Sequence, residues 1–176
     1  MSVTCATRPA PPGPSSYRST VAVRRLEPGD REAVMEVFSG MSARSRQLRF
    51  LTPKPRLTSA DLRQLTAVDH HDHVALVAVS TATGRPIGVA RFVRDPQHRD
   101  SADVAVAVVD AWQDRGVGTM LADALGERAR ELGVRRFTMM MAPDNEGAVR
   151  LLHRMPGEID RLAIDEESAE FAVTVA

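Results

Sequence analysis

Along this chain the apolar residues first alternate, then fall at helical spacing, then alternate again. Val21, Val23 and Leu26 predict a first strand over residues 21–26. Glu27-Pro28-Gly29-Asp30 reads as a turn into a helix, with Asp30 placed to cap it and Val34, Val37 and Phe38 on one face of residues 31–38. Residues 42–50 predict a second short helix capped by Ser42, and Pro53 and Pro55 break the chain after it. Ser59 is placed to cap a third helix running to about Val68, with Leu62, Leu65 and Val68 as its buried stripe. Strands follow at 74–80, 86–94 and 102–109, joined by a turn at Thr81–Arg85 and a polar loop over 95–101. Residues 116–132 carry the clearest helical stripe, Val117, Met120, Leu121, Leu125 and Leu132, and Gly133 is positioned to stop it. A strand over 135–141, a helix over Asn145–Arg154 and a closing pair of strands at 159–164 and 169–175 complete the pattern. These elements predict one mixed α/β domain over residues 21–176, with helices on both faces of a central sheet.

Composition narrows the picture. At 176 residues the chain suits one domain, and its 23 basic and 23 acidic residues cancel. Residues 1–20 hold four prolines and two arginines and read as a flexible leader, which leaves the domain mildly acidic and gives no electrostatic reason to expect nucleic acid. All but one of the basic residues are arginine, the exception being Lys54, a bias of coding rather than a phosphate signal. The single cysteine, Cys5, permits no disulfide within the chain and suits a reducing cytoplasm. No run of apolar residues is long enough to span a membrane, and no signal peptide is apparent.

The segment Gln113-Asp114-Arg115-Gly116-Val117-Gly118-Thr119 lies between a hydrophobic strand and the strongest helix. Gly116 and Gly118 let main-chain amides approach a ligand with no Cβ in the way. The first amides of the helix have no intrahelical acceptor, and its dipole adds positive potential there, so phosphate oxygens are natural partners. Gln113, Arg115 and Thr119 bring further donors. A ligand-free strand-to-helix turn is the alternative. The segment lacks the Gly-Lys-Ser/Thr ending of a nucleoside triphosphate loop and the third glycine of a dinucleotide fingerprint.

At these residues the sequence resembles the GNAT N-acetyltransferases. Their Gln/Arg-x-x-Gly-x-Gly/Ala element is matched by Gln113, Gly116 and Gly118, and their Asn-x-x-Ala-x-x-Leu element by Asn145, Ala148 and Leu151. The resemblance implies a mostly antiparallel sheet splayed between its fourth and fifth strands, with acetyl-CoA in the gap. It implies that the main chain of Val106, Ala107 and Val108 holds the pantetheine arm. The amides of Asp114, Arg115, Gly116, Val117, Gly118 and Thr119 would hold the pyrophosphate, and Asn145 would touch the cofactor. It implies an amine acceptor, no metal, and transfer of the acetyl group; it leaves a homodimer open. A CoA-binding module without catalysis on the same fold is the competing reading.

Attack requires a neutral amine, and an unperturbed lysine amine has a pKa near 10.4, so a base is needed. Asp103 is the candidate. It opens the fourth strand on the face opposite Val104, Val106 and Val108, beside the small Ala105 and Ala107; a solvated strand-end carboxylate is the alternative. Where many family members carry a tyrosine after the leucine of the second element, this chain has Leu152, and His153 lies about 100° further round the helix. The segment from Ser42 to His73 resembles the acetyltransferase domain of Pat-type protein lysine acetyltransferases, so the acceptor is a protein lysine or a small amine. Arg44, Arg46 and Arg49 border the implied acceptor site and either bind an acidic substrate or form a solvated face. The His70-His71-Asp72-His73 run reads as a polar loop, and Met139-Met140-Met141 as strand core.

Overall fold

A computed structural model describes residues 20–164 and 168–175; all of the leader but Thr20, and with it Cys5, lies outside them. Seven strands form one sheet in the order β1-β2-β3-β4-β5-β7-β6. They are β1 (Val21–Arg25), β2 (His73–Ser80), β3 (Pro86–Arg94), β4 (Ser101–Val108), β5 (Arg136–Met141), β6 (Ile159–Ile164) and β7 (Ala169–Thr174). Every neighbouring pair is antiparallel except β4 and β5, which run parallel. That parallel ladder is short: Ser101, Ala102 and Asp103 face Arg136, Phe137 and Thr138, and beyond Asp103 the two strands part.

Five helices cover the sheet: α1 (Arg31–Ser39), α2 (Ala43–Phe50), α3 (Ser59–Thr66), α4 (Val117–Glu131) and α5 (Glu146–Leu152). The first three lie on the face of Val89, Arg91 and Ala107, where Val34, Val37, Phe38, Leu57 and Leu65 surround a small cleft with them. Helix α4 packs on the opposite face, so close that a Cβ added to Gly88 would stand 3.0 Å from Leu121 Cδ1. Helix α5 shares that side, with Leu151 reaching toward Gly118.

Phe92 of β3 and Phe137 of β5 are fully buried with ring centroids 5.9 Å apart. They bridge beneath β4 at the level where β4 and β5 pair, fastening the two halves of the sheet. Truncating either to alanine costs about 3–5 kcal/mol by the usual measure for core aromatics.

The helix ends follow local chemistry. Asp30 and Ser42 cap α1 and α2 as expected, accepting from Ala33 and Ser45 amides. The cap of α3 is Thr58, not Ser59. Thr58 accepts from the Asp61 amide while the Asp61 carboxylate accepts from the Thr58 amide, a reciprocal box that Ser59 cannot form. Gly133 stops α4 with φ of 78°. A short 3-10 turn, Asp110–Trp112, was not expected between β4 and the glycine segment. Met139 and Met141 face inward, but Met140 alternates to the other side and is 59% exposed, correcting its assignment to the core. The residues from His70 to Asp72 form a loop that leads into β2 at His73, wound on Asp69, whose carboxylate accepts the amides of His71, Asp72 and His73. No described helix is long and apolar enough to cross a membrane.

Candidate acetyl-donor and acceptor site

The parting of β4 from β5 opens a cavity of about 480 Å³, within the range of small-molecule sites. One wall is main chain. The Val109 amide donates to the Ile87 carbonyl at 3.0 Å, which fixes the alternation along β4. Ala105 and Ala107 turn their amides and carbonyls toward β3, and Val104, Val106 and Val108 turn theirs toward the gap. The main chain that faces the gap is therefore that of Val104, Val106 and Val108, of which the Val104 amide closes the last rung with Thr138 and the Val108 carbonyl accepts from Gln113. This corrects the expectation for Ala107, which contributes a side chain to the wall while its main chain pairs with Val89.

At the C-terminal end of β4 the chain makes two left-handed turns, Asp114 with φ of 55° and Gly116 with φ of 82°, and enters α4 with no side-chain cap. Among the described residues the amides of Asp114, Gly116, Val117, Gly118 and Thr119 meet no acceptor; the first bonded amide of the helix is that of Met120, to the Gly116 carbonyl at 3.0 Å. A Cβ at Gly116 would meet nothing within 4 Å, and one at Gly118 only Leu151 and Val108 at 3.9 Å, so the cradle is open. Unpaired amides at a helix start suit the oxygens of a diphosphate. Val117 is buried and anchors the turn from below. Asp114 points its carboxylate away to Arg150 of α5, 3.1 Å, and the Arg115 guanidinium lies over the Trp112 ring.

Gln113 does not aim at the cradle. Its amide nitrogen donates to the Val108 carbonyl at 3.0 Å, to Asp110 at 3.2 Å and to Ser45 of α2 at 3.3 Å. Asp110 also accepts from the Ser42 amide at 3.1 Å. Burial acts to raise the Asp110 carboxyl, but donors from Ser45 and Ser42 outweigh it and hold it below the ordinary range. Gln113 and Asp110 thus clamp α2 to the end of β4. Asn145 caps α5 through its carbonyl oxygen, taking the Ala148 amide at 3.0 Å, while standing in the cavity wall. The asparagine and alanine of the second sequence element are thus acceptor and donor of one helix cap.

Asp103 stands at the last paired rung of β4 and β5, exposed, on the face of Ala105 and Ala107. Its carboxylate accepts a hydrogen bond from the Thr138 hydroxyl across the ladder. It does not itself line the cavity; Ala105, two residues along, does. Leu152 is buried in the cavity wall and His153 is exposed outside it.

The three arginines of α2 separate. Arg44 is paired with Asp144, and Arg46 donates to the Phe38 and Pro55 carbonyls while lying 4.2 Å over the Phe38 ring. Arg49 lines the cavity, as do Ser45 and Leu48 of the same helix. Burial lowers the Arg49 guanidinium to about 10, still charged at neutral pH. Val104, Thr138 and Arg91 were missed by sequence reasoning. Only Arg91 had a sequence signal, a charge inside the apolar run Ile87–Val93. The described residues contain no group of three or more potential metal ligands.

Comparisons with known proteins agree with this fold. A model of the acetyltransferase (GNAT) family matches residues 41–155. The acetyltransferase Pat of Mycolicibacterium smegmatis is 34% identical over 133 residues, 76% of this chain and 40% of that protein. The acetyltransferase PA5475 of Pseudomonas aeruginosa is 29% identical over 119 residues, 66% of this chain and 63% of that one. The chain thus spans less than two thirds of either relative. The crystal structure of the GNAT domain of S. lividans PAT superposes with a TM-score of 0.79 at 28% identity, covering 88% of this chain and 90% of that domain.

Proposed function

The chain belongs to the acetyltransferase (GNAT) family, and from that membership we propose that it transfers the acetyl group of acetyl-CoA to a primary amine by direct attack. The observation that carries this reading is the continuity of one cavity from the open amide cradle at Gly116 and Gly118 to the gap-facing main chain of Val104, Val106 and Val108. The cradle fits a diphosphate and the strand edge fits an extended amide-bearing arm. The residues present therefore fit acetyl-CoA, which supplies a thioester carbonyl as the electrophile.

In this reading Asp103 takes the proton of the incoming ammonium through a bridging water, because two strand residues span roughly 7 Å between it and the wall at Ala105. The amine nitrogen bonds to the thioester carbon, the C–S bond breaks, and the second amine proton leaves to solvent. A main-chain amide facing the gap, that of Val106 or Val108, donates to the carbonyl oxygen as it gains charge. Leu152 carries no proton, so CoA departs as thiolate and is protonated by water; a thiol pKa near 8.5 permits this.

Leu152 is also the observation that favours the second reading, a CoA-binding module without turnover. One experiment separates them. Thiol release from acetyl-CoA is measured with amines and lysine peptides, alongside calorimetric CoA binding. The enzyme reading expects turnover that falls about 10²–10⁴-fold in Asp103→Ala with CoA affinity unchanged. Binding without turnover establishes the module, turnover that survives the substitution removes Asp103 as base, and absence of CoA binding overturns both readings.

A further inference from the structure

The acceptor side of the cavity carries positive charge that nothing in the described chain neutralises. Arg49 of α2 reaches the cavity wall beside Ala107, and among the described residues it has neither an ion pair nor a hydrogen bond; its guanidinium has only the Phe50 ring, 5.0 Å away. Arg91 of β3, 7% exposed, sits behind it in the adjoining cleft, and its own donors are spent on the Leu65 carbonyl at 2.8 Å and His73 at 3.4 Å. No carboxylate contributes to the surroundings of either guanidinium, and each would be easier to bury with one. Several other arginines are paired with acids, among them Arg44, Arg85, Arg94 and Arg99. An uncompensated guanidinium in a cavity wall, with a second one behind it, costs stability and is explained by an anion that arrives with the ligand.

We propose that Arg49, reinforced by the charge of Arg91, binds a carboxylate of the acceptor, so that the acceptor is a free amino acid. The inference rests on the acetyltransfer reading above. Arg49 and Asp103 mark the two ends of one strip along β4, Ala107 to Ala105, whose small side chains leave space for a ligand. A carboxylate on Arg49 turns the amine of the same molecule along that strip toward the gap. A lysine of a protein brings only methylenes and an amine into the cavity, and the acids beside it in sequence stay outside, so it leaves Arg49 unanswered.

The test uses the CoA-saturated protein and two panels, the common amino acids and their C-terminal amides, with an acid-flanked lysine peptide as a third arm. Binding is read by calorimetry and turnover by thiol release. At least one amino acid is expected to bind and react with an advantage of tenfold or more over its amide. Arg49→Gln is expected to erase that advantage, raising the acceptor KM at least tenfold while leaving the acetyl-CoA KM unchanged, and Arg49→Lys to restore part of it. Arg49→Met supplies a readout free of activity: with no bond to lose, its Tm is expected at or above that of the wild type. Equal binding of acids and amides, preference for the lysine peptide, or a lowered Tm in Arg49→Met overturns the inference. Loss of CoA binding would instead strike the acetyltransfer reading, so the two failures are distinguishable.

Discussion

At the scale of single residues, the contact between Asp103 and Thr138 is the one whose chemistry reaches furthest. The hydroxyl spans the last rung of the β4–β5 ladder and fixes the direction of the carboxylate just where the strands part. A hydrogen bond to a charged group is worth about 1.5–3 kcal/mol, so its loss should lower kcat roughly tenfold or more. Thr138 touches no reacting atom in this scheme; it is a positioning residue. Thr138→Val is therefore expected to reduce kcat with little change in the acetyl-CoA KM, and Thr138→Ser, which keeps the hydroxyl, to restore most of the rate. Steady-state kinetics on the two variants checks this. Equal loss in both would mean that the methyl group, not the hydroxyl, matters at this position. Sequence spacing put Asp103 forward as a candidate but not its partner, because a contact 35 residues away depends on which strand lies beside β4.

Among the elements, the start of α4 separates two roles of glycine. Gly116 has φ of 82°, where a side chain costs about 1–2 kcal/mol although nothing crowds its Cβ position. Gly118 lies inside the first turn of the helix, where alanine is favoured by up to about 1 kcal/mol and the nearest side-chain atoms are 3.9 Å away. Gly116→Ala should thus lower Tm. Gly118→Ala should leave Tm unchanged or raise it, yet weaken CoA binding at least about tenfold, near 1.4 kcal/mol, because its methyl enters the phosphate cradle. Thermal melts and CoA calorimetry on both variants test the contrast; Gly118→Ala with normal affinity would remove the cradle from the binding site. The strand-to-helix context made this segment legible in the sequence, as did the alternation and helical stripes that located the elements. Two things were not legible. Which edge of β4 each amide faces is set by register with β3, so Val104 was overlooked and Ala107 overvalued. The solitude of Arg49 exists only once α2 has spent Arg44 on Asp144 and Arg46 on three carbonyls.

For the molecule as a whole, helix caps and loops are held by carboxylates that the fold keeps ionised, and this sets its response to acid. A donor from Lys54 chiefly, with two from Thr58, holds Asp61 down to about 2. Burial works to raise Asp69, but the amides of His73, His71 and Asp72 more than offset it, and the result lies below the ordinary value. The Gln97 and His98 amides lower Asp95. Each of these groups is less protonated in the folded chain than in the unfolded chain once the pH drops below about 4. The unfolded state then binds more protons, so stability falls as the pH falls, and the contribution of Asp61 is exhausted only near pH 2. His73 adds an earlier step of the same sign. Burial first, and Arg91 second, press its pKa below 6.5, so the unfolded chain takes up that proton while the folded chain resists it. Tm is therefore expected to decline gently below about pH 6.5 and steeply below about pH 4. Replacing His73 with Gln should flatten the first part and leave the second. Melts from pH 8 to pH 3 on the two proteins would show it. A Tm that stays level down to pH 4 in the wild type would mean that His73 is as free to protonate in the folded chain as in the unfolded one. The apolar setting of Arg91, and with it the unmatched charge behind the acceptor cavity, would then need to be reassessed.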